Sequence, residues 1–221
     1  MRQLLLDLIP AAPPSLDNFV PGGNGETLAA LSLWRAGANP ESSFLLWGEP
    51  GSGKSHLLLA SGFVYRDARQ TPDLADLPEL LETPETLAVD HVEALSEAGQ
   101  IALFNAFNRI RASGGRLLTA ASQAAAHLTL REDLRTRLGY GLIYRLQPLS
   151  DPEKIAALSN QARERAMKFP PEAMDHLLRH APRDMRSLSA LVEALDRYSL
   201  EHKRPITLPL LREVLASPLE H

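Results

Sequence analysis

From Phe44 to Ser55 the chain reads Phe-Leu-Leu-Trp-Gly-Glu-Pro-Gly-Ser-Gly-Lys-Ser. An apolar run of strand length that releases a glycine-rich loop ending in Gly-Lys-Ser fits one local fold, a strand, a tight loop and a helix. Backbone N–H groups of such a loop converge on phosphate oxygens, and a helix starting near Gly53 adds the positive end of its dipole. Lys54 supplies a point charge for the β and γ phosphates, and the Ser55 hydroxyl is a ligand for Mg²⁺. Pro50, Gly51, Ser52, Gly53, Lys54, Ser55 and His56 are therefore the expected nucleotide-binding residues, with ADP or ATP as the ligand. The apolar stretch from His56 to Ala60 supplies the helical context that the pattern requires.

The rest of the chain follows the alternation that this start demands. Phe44–Trp47, Leu87–Val92, Arg116–Ala121 and Leu142–Leu146 read as buried strands of a parallel sheet, and a second strand near Gly62–Arg66 is weaker. Glu97 to Ser113 places Ile101, Phe104, Phe107 and Ile110 at helical spacing and stops at Gly114-Gly115. Past Leu149-Ser150-Asp151-Pro152, with Ser150 or Asp151 as the N-cap, strands cease: Glu153–Lys168, Pro171–His180, Asp184–His202 and Leu208–Leu215 read as helices. With 221 residues, 44% of them apolar, one α/β domain and a small satellite fit the length. The expected division is a tether over 1–14 ending in Ala-Ala-Pro-Pro, an α/β nucleotide-binding domain over 15–149 and a helical domain over 150–218. Leu219-Glu220-His221 resembles a tag remnant.

Several classes are disfavoured. Cysteine is absent, which excludes disulfide and thiolate chemistry and suits a reducing cytoplasm. A net charge of −4 without a run of five like charges argues against tracking along a phosphate backbone. No apolar segment is long enough to span a bilayer, and the start Met-Arg-Gln-Leu-Leu-Leu-Asp-Leu-Ile-Pro is not an export signal, so the expectation is a cytoplasmic protein. His176 and His180 stand four apart on a helix without a third metal ligand and read as a solvated face. Trp34 and Trp47 read as packing, and Asp133 and Arg135 as surface charges.

A second phosphate-side group belongs at the end of a neighbouring strand. Thr86-Leu87-Ala88-Val89-Asp90 puts Asp90 there, to hold Mg²⁺ through water beside Ser55. Where motor-type ATPases carry a second carboxylate, this chain has His91, and Glu93 reads as an exposed helix-start residue.

Together these runs resemble the AAA+ ATPases, specifically the clade of the bacterial replication initiator DnaA and its short regulatory, Hda-type branch. Ser15-Leu16-Asp17-Asn18-Phe19-Val20 resembles the segment that enters the initiator core, where Phe19 and Val20 either contact adenine or staple into the core. Leu134-Arg135-Thr136-Arg137-Leu138-Gly139-Tyr140-Gly141-Leu142 resembles its arginine-finger motif, with Arg137 at the finger position. Asp184-Met185-Arg186-Ser187-Leu188 resembles the lid motif whose arginine reaches the bound phosphates, which falls on Arg186. Gln3-Leu4-Leu5-Leu6-Asp7-Leu8 resembles the peptide by which replication proteins dock on the sliding clamp, with Gln3, Leu4, Leu6 and Leu8 as the contacts.

The resemblance implies an AAA+ P-loop core, with a parallel sheet flanked by helices, and a small all-helical lid. It departs from the family at Ala120, where a polar sensor of the γ-phosphate is expected and only Thr119 or Ser122 could substitute, and at His91. Those departures imply a protein that keeps ADP, or turns ATP over slowly. The expectation is that no DNA-reading module follows the lid helices. The implied role is a clamp-docked, ADP-binding regulator that offers Arg137 in trans to ATP held by DnaA, so that the initiator hydrolyses it and re-initiation is prevented. It would be nucleoid-associated only through the clamp, and self-pairing into a homodimer would hide the finger. The alternative is an autonomous AAA+ ATPase such as a helicase loader or clamp-loader subunit; a small-molecule P-loop kinase leaves the N-terminal hexad unexplained.

Overall fold

The structure, a computed structural model, describes residues 13–77, 86–167, 169–182, 184–202 and 205–211. It divides into two compact units, one over 14–148 and one from Leu149 onward.

The first unit is built on a parallel sheet of β1 (Ser43–Trp47), β2 (Val64–Asp67), β3 (Thr86–Asp90), β4 (Arg116–Ala121) and β5 (Leu142–Arg145), in the order β2-β3-β4-β1-β5. Because β1 lies between β4 and β5, its carboxyl end opens at the point where strand order reverses, the usual place for a ligand in such sheets. The strands read as unbroken apolar runs because both faces are covered. Leu45, Leu87, Val89, Leu117 and Ala121 pack with Leu103, Phe107, Ile110, Leu134 and Leu138. The alternate residues Phe44, Leu46, Ala88, Leu118 and Ala120 pack with Leu31, Trp34, Leu57 and Leu58. The first set belongs to helices α3 (Glu97–Ser113) and α4 (Glu132–Leu138), the second to α1 (Gly25–Arg35) and α2 (Lys54–Ala60).

The expected long helix is found over its full span: Ser96 caps it by accepting the Gly99 N–H, and Gly114 ends it in the left-handed region at φ 74°. The weak second strand is present as the sheet edge, in register with β3 from Val64↔Leu87 to Asp67↔Asp90. The third expected strand is shorter than read. It stops at Asp90, because His91 turns into the left-handed region at φ 54° and starts the short 3-10 turn Val92–Ala94.

In the second unit, α5 (Asp151–Glu164), α6 (Pro171–His180) and α7 (Met185–His202) bury Leu158, Met174, Leu177, Leu188, Val192 and Leu195 around one apolar centre. Helix α5 begins two residues before the expected Glu153, since Ser150 and Glu153 form a reciprocal capping box, and it ends at Glu164 rather than Lys168. Gln161 of α5 and Arg165, just past its end, both reach Glu193 of α7, at 3.3 and 2.9 Å. A further helical stretch covers 208–211.

Candidate phosphate loop and finger turn

Strand β1 releases Gly48 directly into the loop, where its N–H donates to Ala121 O at the end of β4 (3.2 Å). Glycine is required at Gly53: φ is 96°, and a Cβ there would meet the Phe19 ring at 2.6 Å. Lys54 is buried, and its ammonium donates to Gly48 O at 2.6 Å and Glu49 O at 2.9 Å, with Ser52 Oγ at 3.4 Å. Burial pulls the Lys54 ammonium below its ordinary range, and the carboxylates of Asp90 and Glu93 partly offset that. Gly51 and Ser55 occupy the loop and the helix start as the spacing requires, with Pro50 at the exposed tip.

Phe19 is almost wholly buried; it lies over Gly53 and tilts against His56, with ring centres 5.5 Å apart. His56 Nε2 is 2.9 Å from Ser15 O, and since a carbonyl only accepts, that nitrogen carries the proton. The entry segment is thus pinned to the loop helix by a ring and a hydrogen bond. Val20 beside it is half-buried.

Asp90 is fully buried at the end of β3, and both its oxygens are engaged. Oδ2 accepts the Tyr65 hydroxyl at 3.1 Å and Oδ1 the His91 N–H at 2.9 Å. The His91 ring turns Nδ1 between Asp67 Oδ1 (3.2 Å) and Asp90 Oδ1 (3.3 Å). Asp67 is clamped from outside by Arg69 at 2.7 Å, which holds its carboxyl below the usual range, while burial and Asp90 push the Tyr65 phenol well above its own. Ser55 at the start of α2 and Asp90 at the end of β3 are the pair expected from the sequence to hold Mg²⁺, Asp90 through water. Among the described residues there is no cluster of three or more His, Asp or Glu side chains arranged to hold a metal directly.

Sequence reasoning missed this network. Tyr65 and Asp67 lie on the strand read least securely, and only the register of β2 with β3 brings them to Asp90. It also missed what Glu93 does: the residue is exposed, as expected, yet its Oε1 accepts the Ser122 N–H at 3.2 Å. Ala120 is buried against the α2 side of the sheet and carries no polar group; Thr119 is buried on the opposite face.

On the other flank of β1, α4 ends at Gly139 and the chain turns through Tyr140 and Gly141 into β5. Arg137 is half-exposed on the last turn of α4, its guanidinium 5.8 Å from the centre of the Phe107 ring. Tyr140 is 66% exposed. Gly141 is dictated by space, because at φ 93° a Cβ would lie 2.6 Å from Ser43 O, and Ser43 Oγ donates to Tyr140 O across the same contact. Asp133, read as a surface charge, pairs with Arg131 at 3.0 Å. In the second unit Arg186 is exposed on the first turn of α7. Gln3, Leu4, Leu6 and Leu8 lie outside the described residues. Trp34 is a core residue, as read, with Nε1 donating to Glu41 O at 2.7 Å. The rings of His176 and His180 are 4.2 Å apart.

A parallel sheet in this order, a glycine loop at its switch point and a helical unit make an AAA+-type fold. Residues 151–215 match the family model described as Hda, lid domain. The fold is similar to domain III of the Thermotoga maritima replication initiation protein DnaA, at 20% identity over 95% of this chain and 100% of that one, TM-score 0.71. It is similar also to AMPPCP-bound DnaA from Aquifex aeolicus (20% identity, 86% of this chain and 69% of that one, TM-score 0.65). A third likeness is to a single-residue variant of Thermotoga maritima RuvB (19%, 92% and 71%, TM-score 0.66). Residues 151–215 thus resemble the lid of the Hda family, and the chain shares the fold of DnaA domain III. Among the described residues no helix is long and apolar enough to cross a membrane.

Proposed function

We propose that this protein is an ADP-binding AAA+ regulator of DnaA, docked on the sliding clamp through Gln3, Leu4, Leu6 and Leu8, that stimulates ATP hydrolysis by the initiator with Arg137. The observation that carries the reading is the state of Arg137. It sits half-exposed at a turn shaped by Gly141, above an aromatic ring, in none of the described ion pairs. A guanidinium held this way is available to a neighbour's phosphates, where such a residue is worth roughly 10³ to 10⁵ in rate. Nucleotide in the protein's own loop, held by Ser52, Gly53, Lys54 and Ser55 with Mg²⁺, would serve to fix the protein's conformation rather than to fuel work.

The test is hydrolysis of ATP carried by purified DnaA, with clamp loaded on DNA and this protein added. Wild type should accelerate it, and Arg137→Ala should lose at least about 10³-fold of the acceleration while folding normally. Acceleration retained by Arg137→Ala would refute the role. Glu93, whose charge reaches Lys54, keeps one other reading in play, an autonomous ATPase; brisk steady-state hydrolysis by this protein alone would favour it.

A further inference from the structure

Glu93 is an acid of the phosphate side whose anchorage has no assigned purpose. It lies in the 3-10 turn after His91, and its carboxylate accepts the Ser122 N–H at 3.2 Å. Ser122 follows the last residue of β4, Ala121, which pairs with Trp47 and accepts the N–H of Gly48, the first residue of the loop. The carboxylate is therefore fixed over the strand end that borders the loop. It takes no hydrogen bond from Lys54, whose ammonium is directed to Gly48 O, Glu49 O and Ser52 Oγ. Yet it is near enough to raise the lysine's proton affinity against burial. The adjoining strand position that could meet a third phosphate with a donor is Ala120, buried and apolar.

We propose that Glu93 is a specificity residue of the phosphate loop. Its carboxylate, tethered by the Ser122 N–H at the end of β4, selects a nucleoside diphosphate over a triphosphate by opposing the charge of the terminal phosphate. The inference rests on the reading that the loop binds an adenine nucleotide. A diphosphate ends among the loop N–H groups, whereas a triphosphate extends at least one more negative charge toward the fixed carboxylate. At the partly screened dielectric of a protein surface, like charges a few ångströms apart change affinity by about tenfold or more.

The sign of the effect makes the inference testable. Dissociation constants for ADP and for the non-hydrolysable triphosphate AMPPCP, both with Mg²⁺, are measured on the full chain as wild type, Glu93→Gln, Glu93→Ala and Lys54→Ala. Wild type should prefer ADP by about tenfold or more, and Glu93→Gln should narrow that preference about tenfold by tightening AMPPCP. Glutamine keeps an oxygen for the Ser122 N–H, so its fold should be retained, and a thermal melt checks each variant. A preference unchanged or widened in Glu93→Gln, or AMPPCP weakened as for a lost Mg²⁺ ligand, overturns the proposal. Lys54→Ala separates the two levels. If wild type binds both nucleotides and Lys54→Ala neither, the loop reading stands and the ratio alone judges Glu93. If wild type binds neither, the loop reading fails and takes this inference with it.

Discussion

The two flanks of β1 treat charge in opposite ways. Toward β4, β3 and β2, the buried charges have fixed partners, Lys54 in the loop carbonyls, Asp90 in Tyr65 and a backbone N–H, and Asp67 in Arg69, although His91 Nδ1 beside them makes no hydrogen bond. Toward β5, the turn is held by the fit of Gly141 against Ser43 and by the hydrogen bond from Ser43 Oγ to Tyr140 O, and its guanidinium rests on a ring without a described carboxylate. A buried charge costs several kcal/mol unless it is paired, so the first flank is committed to its own fold. The second flank keeps a half-exposed cation outside the described ion pairs. Substitutions should separate the two, shape failing on one side and hydrogen bonding on the other.

The largest effect is expected at the shape-held turn. In Gly141→Val the new side chain meets the β1 backbone at Ser43 O, with φ at 93° adding strain, so β1 or the turn must move. The expected loss is about 3 to 4 kcal/mol, read as a lowered urea midpoint with an unchanged slope. A neutral outcome would mean that the turn is not held by this contact.

On the committed flank Asp90→Ala comes next. It strands the Tyr65 hydroxyl and the His91 N–H and removes a charge that offsets the burial of Lys54. About 2 to 3 kcal/mol should be lost. Tyr65→Phe removes only the donor and should cost about 1 kcal/mol near neutral pH. Its signature is alkaline. The Tyr65 phenol is held above its ordinary value of 10.0, so the folded state grips that proton more tightly than the unfolded one. The contribution is complete below that value and is lost as pH climbs above it. Wild-type stability should fall more steeply in that range than that of Tyr65→Phe; equal slopes would sever Tyr65 from Asp90.

The same contrast explains what could be read in the sequence. The loop, the long helix and four strands were legible because local chemistry fixes them: an apolar run, a glycine where φ must be positive, a serine cap and a Gly114 stop. Arg137 is marked out only by the resemblance of its stretch to a finger motif, not by local chemistry. What lies around Asp90 was not legible. Tyr65, Asp67 and Ser122 are remote from it or from Glu93 in sequence and meet them only through strand register, and a four-residue edge strand carries little periodic signal. His91 does something its side chain does not announce: it is a left-handed residue that ends β3 before Val92 and, by doing so, brings Glu93 back over β4.

The smallest expected effect probes the rim of the committed flank. Arg69 is 60% exposed while the Asp67 side chain it grips is 6% exposed, so solvent screens most of the pair's attraction. Arg69→Ala should cost under about 1 kcal/mol at neutral pH. The acid limb is more telling. Arg69 is the main cause of the lowered Asp67 pKa, so the folded state binds that proton less readily than the unfolded chain, whose ordinary value is 3.8. Stability from Asp67 is therefore complete above that value and drains away as pH falls below it. Urea midpoints collected from neutral pH down through the acid range should show a shallower decline in Arg69→Ala than in wild type. Parallel declines would transfer the hold on Asp67 from the exposed guanidinium to the His91 ring 3.2 Å away, and the buried network would then be closed without help from its rim.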